Sequence, residues 1–195
     1  MKKFAVFASG NGSNFEAIAK RMREEKWDAE LSLLVTDKPQ AKAVERAEAL
    51  HIPSFAFEPS SFENKAAFER AIIEQLRLHE AELIVLAGYM RLIGDTLLGA
   101  YGGRIINIHP SLLPAFPGID AVGQAYRAGV KVAGITVHYV DEGMDTGPII
   151  AQKAFEIQEN DTLEDIEHTI HELEHKWYPS VVKRLLGLNN RGEKA

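Results

Sequence analysis

Apolar and polar residues follow two different patterns of spacing along the first half of the chain. Short continuous apolar runs are typical of strands buried on both faces, whereas apolar residues spaced by three and four indicate helices. The pattern predicts strands at 3–8, 31–35, 53–57 and 83–87. It predicts helices between them at 13–25, 41–50 and 63–79. Such alternation is the signature of a parallel α/β sheet with right-handed crossovers.

The second half of the chain is less regular. Strands are predicted at 104–109, 134–140 and 148–157, and a long helix from 162 to about 186. The stretch 110–118 is rich in Pro and Gly and is predicted to be irregular. Asp161 and Glu164 resemble a capping box, and Pro179 is expected to kink or interrupt the helix. The fold class is therefore α/β, with a mostly parallel twisted sheet, helices on both faces, a long C-terminal helix and a polar tail at 189–195.

The bulk composition excludes several classes of function. The chain has 195 residues, 46% of them hydrophobic, and no cysteine, so disulfides and thiolate metal sites are excluded. A net charge of −6 argues against nucleic-acid binding, which usually needs a basic face. The N-terminal apolar run is shorter than the roughly 7–15 residues of a signal-peptide core, and no run approaches the roughly 20 residues of a membrane span. We therefore expect one cytoplasmic domain with no membrane or nucleic-acid partner.

The glycine-rich loop after the first predicted strand is a candidate phosphate site. Residues 9–14 (SGNGSN) join a buried strand to a helix. Glycines let the backbone approach a ligand closely, and the N–H groups and dipole of a helix N-terminus favour an anion. Ser13 and Asn14 would add side-chain donors. A phosphate group is the favoured ligand. The alternative is that the loop is a purely structural turn that binds no ligand.

The same loop also matches half of a dinucleotide-binding fingerprint. Gly10 and Gly12 fit its first two glycines, and Asp37 follows the second predicted strand, where a ribose-binding carboxylate would lie. Phe15 occupies the position of the third glycine and would obstruct close packing of the helix on the strand. The loop therefore favours a mononucleotide phosphate, and an NAD-dependent oxidoreductase is kept as a second enzyme hypothesis.

Two polar side chains in an apolar strand form a second candidate site. Asn107 and His109 are two residues apart and share one face of the strand, while Ile108 packs behind them. An amide and an imidazole together can stabilise an oxyanion and move a proton. Asp145, in the acidic glycine-rich loop 141–148, would fix the tautomer of His109 by contacting it. A buried hydrogen-bonded pair and an ordinary acidic turn are the structural alternatives.

Residues 171–175 (HELEH) match the H-E-x-x-H zinc motif. On a helix, His171 and His175 share a face and can bind a zinc ion. The sequence offers no evident third ligand nearby, and the surrounding residues are charge-rich, which is typical of a solvated helix face. We therefore expect no metal site.

Four segments, taken in order, resemble one family. They are SGNGSN at 9–14, LAGYMRL at 86–92, NIHPSLLP at 107–114, and the stretch 134–147. Together they resemble the 10-formyltetrahydrofolate-dependent formyltransferases from about residue 3 to residue 179. The NIHPSLLP segment is highly specific for this group, and SGNGSN resembles the branch that acts on glycinamide ribonucleotide.

The resemblance implies one α/β domain with a nucleotide-binding half at about 1–100 and a folate-binding, catalytic half at about 101–188. It implies formyl transfer from 10-formyltetrahydrofolate to the amine of glycinamide ribonucleotide in purine biosynthesis, without a metal. The implied catalytic residues are Asn107, His109 and Asp145. The implied substrate contacts are Gly12, Ser13, Asn14, His171, Glu172, Leu173 and Glu174. The implied folate contacts are Lys65, Met90, Arg91, Leu92, Ile93, Asn107, Asp141, Glu142, Gly143, Met144 and Asp145.

The sequence departs from the family in two places. The loop 117–124 (PGIDAVGQ) lacks the two histidines that some members carry after Pro-Gly. Lys65 stands where some members have arginine, which keeps the charge and loses the bidentate fork. A formyl-folate hydrolase and a non-catalytic phosphate-binding module are the alternative functions. The sequence does not fix the oligomeric state, and a homodimer is left open.

Overall fold

A computed structural model of the chain describes residues 1–188, in which a sheet is flanked by helices. Its strands are β1 Lys2–Phe7, β2 Ala29–Thr36, β3 Ser54–Ala56, β4 Leu83–Leu86, β5 Ile105–His109, β6 Val132–Tyr139 and β7 Ile149–Glu156. Its α-helices are α1 Ser13–Glu24, α2 Lys42–Ala49, α3 Lys65–Leu78, α4 Asp95–Tyr101, α5 Ala121–Ala128 and α6 Leu163–Leu185. A 3-10 turn spans Pro59–Ser61. The polar tail expected at 189–195 lies outside the described residues.

The strands form one sheet in the order β3-β2-β1-β4-β5-β6-β7. Strands β1 to β5 are parallel, as the alternation of strands and helices predicts. Strand β6 is antiparallel to both β5 and β7. The loop 140–148 joins β6 to β7 without a helix, and so short a connection permits only an antiparallel pair. The predicted mostly parallel α/β sheet is confirmed.

Side chains of the strands alternate between two buried layers. Phe4 packs in the layer formed with α1, α2 and α6, whereas Phe7 packs in the layer formed with α3 and α4. Helix α6 crosses the centre of the sheet, where the fully buried Tyr178 donates its hydroxyl hydrogen to the Leu86 carbonyl at 2.7 Å. The predicted helices on both faces are confirmed. None of the helices within residues 1–188 is long and apolar enough to span a membrane.

The start of α6 differs from the prediction by one residue. The capping box assigned to Asp161 and Glu164 is wrong, because Thr162 is the N-cap and pairs with Asp165. The Thr162 hydroxyl accepts from the Asp165 N–H at 3.2 Å, and the Asp165 carboxylate accepts from the Thr162 N–H at 2.8 Å. Asp161 instead accepts from the Gln158 N–H in the preceding turn. Asp161–Glu164 and Thr162–Asp165 both have the three-residue spacing of a capping box. Asp161 is engaged in the turn with Gln158, so Thr162 caps the helix.

Pro179 was expected to kink or interrupt α6, and it lies inside the helix without interrupting it. A proline removes one helical hydrogen bond and crowds the preceding turn. Here Pro179 itself is buried, and so are Tyr178, Val181 and Val182 around it. Packing against the sheet on both sides of the proline holds the helix together.

Two short helices, α4 and α5, were not predicted. Helix α4 has only seven residues, and its N-cap is Gly94, which offers no side chain. Glu69 of α3 supplies the missing acceptor, because its buried carboxylate binds the Gly94 N–H at 2.6 Å and the Leu97 N–H at 3.1 Å. Helix α5 starts after Asp120 and ends at Gly129, both in the left-handed conformation. The cap of α4 has no local sequence signature, whereas Asp120 and Gly129 are local start and stop signals of α5 that the sequence analysis did not use.

Glu69→Ala is expected to lower the free energy of unfolding by about 2–4 kcal/mol, because two backbone N–H groups lose a charged, buried acceptor. Urea denaturation measures the loss. Glu69→Gln keeps one acceptor oxygen and should cost clearly less. Arg70→Ala changes the exposed neighbour on α3 and serves as the control. A cost for Glu69→Ala equal to that of Arg70→Ala would contradict the capping role.

Candidate active site

The carboxyl ends of β1, β4 and β5 meet at one edge of the sheet. The register places Phe7 beside Leu86, and Leu86 beside Asn107. Strand β1 pairs with β2 on one side and with β4 on the other, so the order of the strands reverses there. Ligands of α/β sheets bind at such a switch point. The glycine loop (residues 9–14), the 88–94 segment and Asn107 therefore lie at the edge where a ligand is expected.

Helix α2 holds the glycine loop in place from behind. The Ala43 N–H donates to the Gly10 carbonyl at 3.1 Å. Arg46 donates to the Asn11 backbone carbonyl and to the Asn11 side chain, both at 2.8 Å. Gly12 has φ 74°, and a Cβ there would lie 2.8 Å from the Ala43 Cβ. Only glycine suits this position, on grounds of both conformation and space.

The N-terminus of α1 opens from the glycine loop. Gly12 is its N-cap, and no side chain within residues 1–188 caps this helix end. The Glu16 N–H makes the helical bond back to Gly12, so the N–H groups of Ser13, Asn14 and Phe15 precede the helical ladder. The Phe15 ring is fully buried in the core, so the third glycine of a dinucleotide fingerprint is replaced by a packing residue. The arrangement offers backbone donors to an anion.

The contacts of Asp37 do not leave its carboxylate free to bind a ribose. It is buried, and its Oδ1 accepts from the Ser9 hydroxyl at 2.5 Å. Its Oδ2 accepts from Arg91 Nε at 2.8 Å. Because the protein itself engages both carboxylate oxygens, the geometry argues against the dinucleotide hypothesis.

Helix α6 brings an acidic side chain against the glycine loop. Asn14 Nδ2 donates to Glu174 Oε2 at 3.0 Å, and His171 Nδ1 lies 3.4 Å from the same oxygen. Asn14 Oδ1 is buried and has no hydrogen-bond partner among the described residues. Of the other two predicted α6 contacts, Glu172 is exposed and Leu173 packs against the core. Glu174 therefore contacts the loop directly, and His171 does so through Glu174.

The two histidines of the HELEH segment lie side by side, with ring centroids 6.5 Å apart. His171 is largely exposed, whereas the Nε2 atom of His175 is buried without a partner in the part of the chain that the structure describes. The charged groups around His175 are Glu174, His171, Glu16 and Arg46. Across residues 1–188, no three His, Asp or Glu side chains are arranged to hold a metal ion.

His175 is expected to destabilise the protein in acid. Burial lowers the pKa of His175 from its ordinary value of 6.5, although Glu174 opposes this. The unfolded chain then binds the proton more readily, so the contribution of His175 to stability is present above about pH 6.5 and is lost as the pH falls through the folded pKa. The Tm of the wild type minus that of His175→Gln should become more negative between about pH 7.5 and about pH 5.5.

His171→Gln is a control of opposite sign. The hydrogen bond to Glu174 raises the pKa of His171, despite partial burial. Its contribution is therefore fully present below the unfolded pKa and is lost as the pH rises through the folded pKa. The Tm of the wild type minus that of His171→Gln should decrease with rising pH, by a small amount because the side chain is exposed. The same direction for both histidines would contradict these assignments.

Asn107, His109 and Asp145 come together through a fourth residue, His138. Asp145 Oδ2 lies 3.4 Å from His109 Nδ1, and Asp145 Oδ1 lies 3.7 Å from His138 Nε2. The same His138 nitrogen lies 3.4 Å from Asn107 Nδ2. These four side chains are buried or half-buried and form a continuous cluster, here called the polar cluster.

Backbone carbonyls fix one nitrogen of each imidazole in the polar cluster. A carbonyl only accepts hydrogen bonds, so His109 Nε2, at 2.9 Å from the Phe116 carbonyl, carries a hydrogen. By the same argument His138 Nδ1, at 2.8 Å from the Tyr139 carbonyl, carries one. The other nitrogen of each ring faces Asp145. Asp145 therefore lies between the two positions at which these rings gain or lose a proton.

The polar cluster keeps Asp145 ionised. Asp145 has φ 58°, and its Oδ2 accepts from the Gly118 N–H at 2.8 Å. His138 is the largest influence that lowers the pKa of Asp145, followed by the Gly118 N–H and His109, while burial opposes them. Asp145 is consequently a carboxylate at neutral pH.

The apolar folate candidates divide into exposed and buried side chains. Met90 and Leu92 are 72% and 58% exposed, whereas Ile93 is buried in the core. Met144 is half-exposed, and its sulfur lies 3.2 Å from the place where a Cβ on Gly118 would be. Large apolar side chains left exposed on a protein surface mark interaction sites. Met90, Leu92 and Met144 are therefore available to a flat apolar ligand.

The polar folate candidates also differ in their contacts. Asp141 accepts from the Thr146 hydroxyl at 2.7 Å and from the Gly143 N–H at 3.1 Å, so it shapes its own loop. Lys65 and Glu142 are exposed. The Lys65 stem reaches the 88–94 segment, because its Cε lies 2.8 Å from the place where a Cβ on Gly94 would be.

His138 was missed by the sequence analysis. The strand that contains it was predicted correctly, but its pairing was not. In the structure β6 pairs with β5 so that His138 lies directly opposite Asn107. The signal available in the sequence was a single histidine in a mostly apolar predicted strand, GITVHYV. Its pairing with Asn107 follows only when the antiparallel register of the two strands is known.

Comparisons with known proteins agree with the fold and the site. The family model described as formyl transferase matches residues 2–182. The phosphoribosylglycinamide formyltransferase of Bacillus subtilis (strain 168) is 85% identical over 100% of both chains. A crystal structure of glycinamide ribonucleotide transformylase 1 from Geobacillus kaustophilus has a TM-score of 0.93 and 56% identity, covering 96% of this chain and 100% of that chain.

A crystal structure of phosphoribosylglycinamide formyltransferase from Bacillus halodurans has a TM-score of 0.91 and 53% identity, covering 98% of this chain and 97% of that chain. The likeness therefore extends over the glycine loop, the 88–94 segment and the polar cluster alike. Because the family model covers the whole sheet and α6 as far as residue 182, this chain belongs to the formyl transferase family.

Proposed function

We propose that this chain transfers the formyl group of 10-formyltetrahydrofolate to the amine of glycinamide ribonucleotide, in purine biosynthesis. The products are formylglycinamide ribonucleotide and tetrahydrofolate. The observation that carries the proposal is the polar cluster at the carboxyl edge of β5, beside the glycine loop and the 88–94 segment. The substrate is chosen because the similar proteins from B. subtilis and G. kaustophilus are named for glycinamide ribonucleotide.

The ribonucleotide is assigned to the glycine-loop side. Gly12, Ser13 and Asn14 would bind its phosphate, because the N-terminus of α1 offers backbone N–H groups to an anion. Helix α6 would contact the ribose or glycinamide end. The residues proposed there are His171, Glu172, Leu173 and Glu174. The proposed nucleotide-binding half is accordingly residues 1–100.

The folate co-substrate is assigned to the second half of the chain and the 88–94 segment. The exposed Met90, Leu92 and Met144 suit an aromatic ring system, and the exposed Lys65 suits a carboxylate. The remaining residues proposed to line this pocket are Arg91, Ile93, Asn107, Asp141, Glu142, Gly143 and Asp145. The cytoplasm is the proposed location, and a homodimer stays a prediction.

The reaction forms one carbon–nitrogen bond and breaks another. The ribonucleotide amine attacks the formyl carbon and gives a tetrahedral oxyanion, after which the bond from that carbon to folate N10 breaks. Asn107 Nδ2 has two hydrogens, of which one points toward His138 and the second can bind the oxyanion. Asp145 takes the amine proton, through a water molecule, and the proton ends on the departing N10.

His109 needs one exchange of partner to assist this step. In the structure its Nε2 donates to the Phe116 carbonyl and its Nδ1 faces Asp145. Donation to the oxyanion therefore requires His109 Nε2 to leave the Phe116 carbonyl when substrate binds. The carboxylate of Asp145, 3.4 Å from His109 Nδ1, orients the ring for this donation.

The proposal is tested by mixing purified protein with 10-formyltetrahydrofolate and following the tetrahydrofolate product, with and without glycinamide ribonucleotide. We expect turnover that depends strictly on the amine and is abolished in His109→Ala. Release of formate without the amine would establish a hydrolase instead. Binding of phosphate ligands without any turnover would establish a non-catalytic module.

A further inference from the structure

Asp37 is a buried carboxylate whose contacts the proposed chemistry does not use. It follows β2, and neither the glycine-loop anion site nor the polar cluster includes it. Its side chain is 3% exposed, and its only described partners are Ser9 and Arg91. A buried carboxylate is costly unless it is paired and hydrogen-bonded, so these two contacts determine what Asp37 does.

Both contacts lead to the 88–94 segment. The Ser9 hydroxyl donates to Asp37 at 2.5 Å and accepts from the Met90 N–H at 2.9 Å. The Ser9 N–H also donates to the Gly88 carbonyl at 3.0 Å. Arg91 reaches the other Asp37 oxygen through Nε at 2.8 Å. Asp37 thus fixes the Met90 backbone through Ser9 and the Arg91 side chain directly.

The Arg91 side chain is held in one orientation by a further contact. Its guanidinium carbon lies 5.8 Å from the centroid of the Phe68 ring, which is itself buried on α3. Arg91 is 42% exposed, so its outer face remains available while Asp37 holds its inner edge. The cation therefore stays at the surface of the 88–94 segment in a defined position.

We propose that Asp37 is a positioning residue that presets the 88–94 segment for the folate co-substrate. This inference rests on the proposed function. Ser9 is the first residue of the glycine loop, but its other contacts lead to Gly88 and Met90. Ala43 and Arg46 hold Gly10 and Asn11 independently of Asp37, so loss of Asp37 acts mainly on the folate side. The backbone of Met90 and the guanidinium of Arg91 are the groups it positions.

The test compares the KM for each substrate in wild type, Asp37→Ala and Asp37→Asn. Asp37→Ala should raise the KM for 10-formyltetrahydrofolate by about tenfold, which corresponds to losing a charged hydrogen bond, and change the KM for glycinamide ribonucleotide by less than about twofold. Asp37→Asn keeps an acceptor for Arg91 and should raise the folate KM less. Equal increases in both KM values would overturn the proposal.

Two further measurements separate positioning from general loss of stability. Asp37→Ala and Arg91→Ala should be non-additive in their effect on the folate KM, because each removes the same contact. Ser32→Ala is the matched control, since Ser32 is a buried polar residue on β2 whose hydroxyl donates, within residues 1–188, only to the Phe4 carbonyl. It should leave both KM values unchanged. Additive effects in the Asp37 and Arg91 pair would overturn the proposal.

Amide hydrogen exchange of Met90, followed by NMR, tests the inference without any catalysis. The Met90 N–H should exchange faster in Asp37→Ala than in wild type, and at the wild-type rate in Ser32→Ala. Absence of turnover in the wild type would refute the proposed function alone, because the Met90 amide still reports on Asp37. Unchanged Met90 exchange in both Asp37→Ala and Asp37→Asn would refute the positioning role alone.

Discussion

Asn107→Ala is expected to slow formyl transfer by about 10²–10³-fold, the usual cost of losing one oxyanion donor. Asn107 lies in β5, and its Nδ2 is 3.4 Å from His138 Nε2. That contact orients the amide so that its second hydrogen is free to meet the charge that develops on the formyl oxygen. The alanine variant removes this donor and also leaves His138 without a partner on that side.

Single-turnover kinetics with both substrates saturating measure this loss on the chemical step. The substrate KM values should change much less than the rate, because the hydrogen bond strengthens only in the transition state. Ile108→Val is the matched control, since it alters the next residue of β5 on the opposite, buried face and should cost only about 0.5–1.5 kcal/mol of stability. Single-turnover rates near the wild-type value in Asn107→Ala would remove Asn107 from the mechanism.

The regular part of the fold follows from local patterns in the sequence. The apolar run at Phe4–Phe7 and the run at Leu83–Leu86 each predict a strand buried on both faces, and the structure places them side by side. Helix α1 follows from its amphipathic spacing. These features depend on near neighbours along the chain, so the alternation of polar and apolar residues is enough to locate them.

Two features that sequence analysis missed, the cap of helix α4 and the role of Asp37, depend on contacts between distant residues. Helix α4 is capped by Glu69 from α3, and a capping acceptor from another helix leaves no local signature. Asp37 was considered as a ribose ligand because of its position after β2. Its actual partners are Ser9, 28 residues away, and Arg91, 54 residues away.

The polar cluster shows the same division between local and distant information. Asn107 and His109 lie on the same face of β5 because side chains two residues apart in a strand share a face. The position of Asp145 between His109 and His138 depends on the β5–β6 register and on the left-handed backbone conformation of Asp145 in its loop. Residue types indicated the chemistry, and only the assembled sheet supplies the distances.

Asp145→Asn is expected to lower kcat by about 10²–10⁴-fold, the usual contribution of a positioned acid–base group. The Gly118 N–H must still find an acceptor, so the new amide oxygen faces Gly118 and its NH2 group faces His138. That amide then competes with Asn107 for His138 Nε2. His109 Nδ1 then faces a neutral amide instead of a carboxylate, so one substitution removes the proton acceptor and disturbs the contacts of both oxyanion donors.

The pH profile of kcat/KM identifies Asp145 as the group on the acid side. Its lowered pKa keeps it ionised well into the acid range, so wild-type activity should not fall through loss of this carboxylate until the pH drops below the ordinary carboxyl pKa. Asp120→Asn is the control, because Asp120 is an exposed carboxylate of the neighbouring loop that pairs with Arg127. It should keep the wild-type rate and profile. An Asp145→Asn enzyme with a wild-type rate would show that His138 and His109 function without the carboxylate between them.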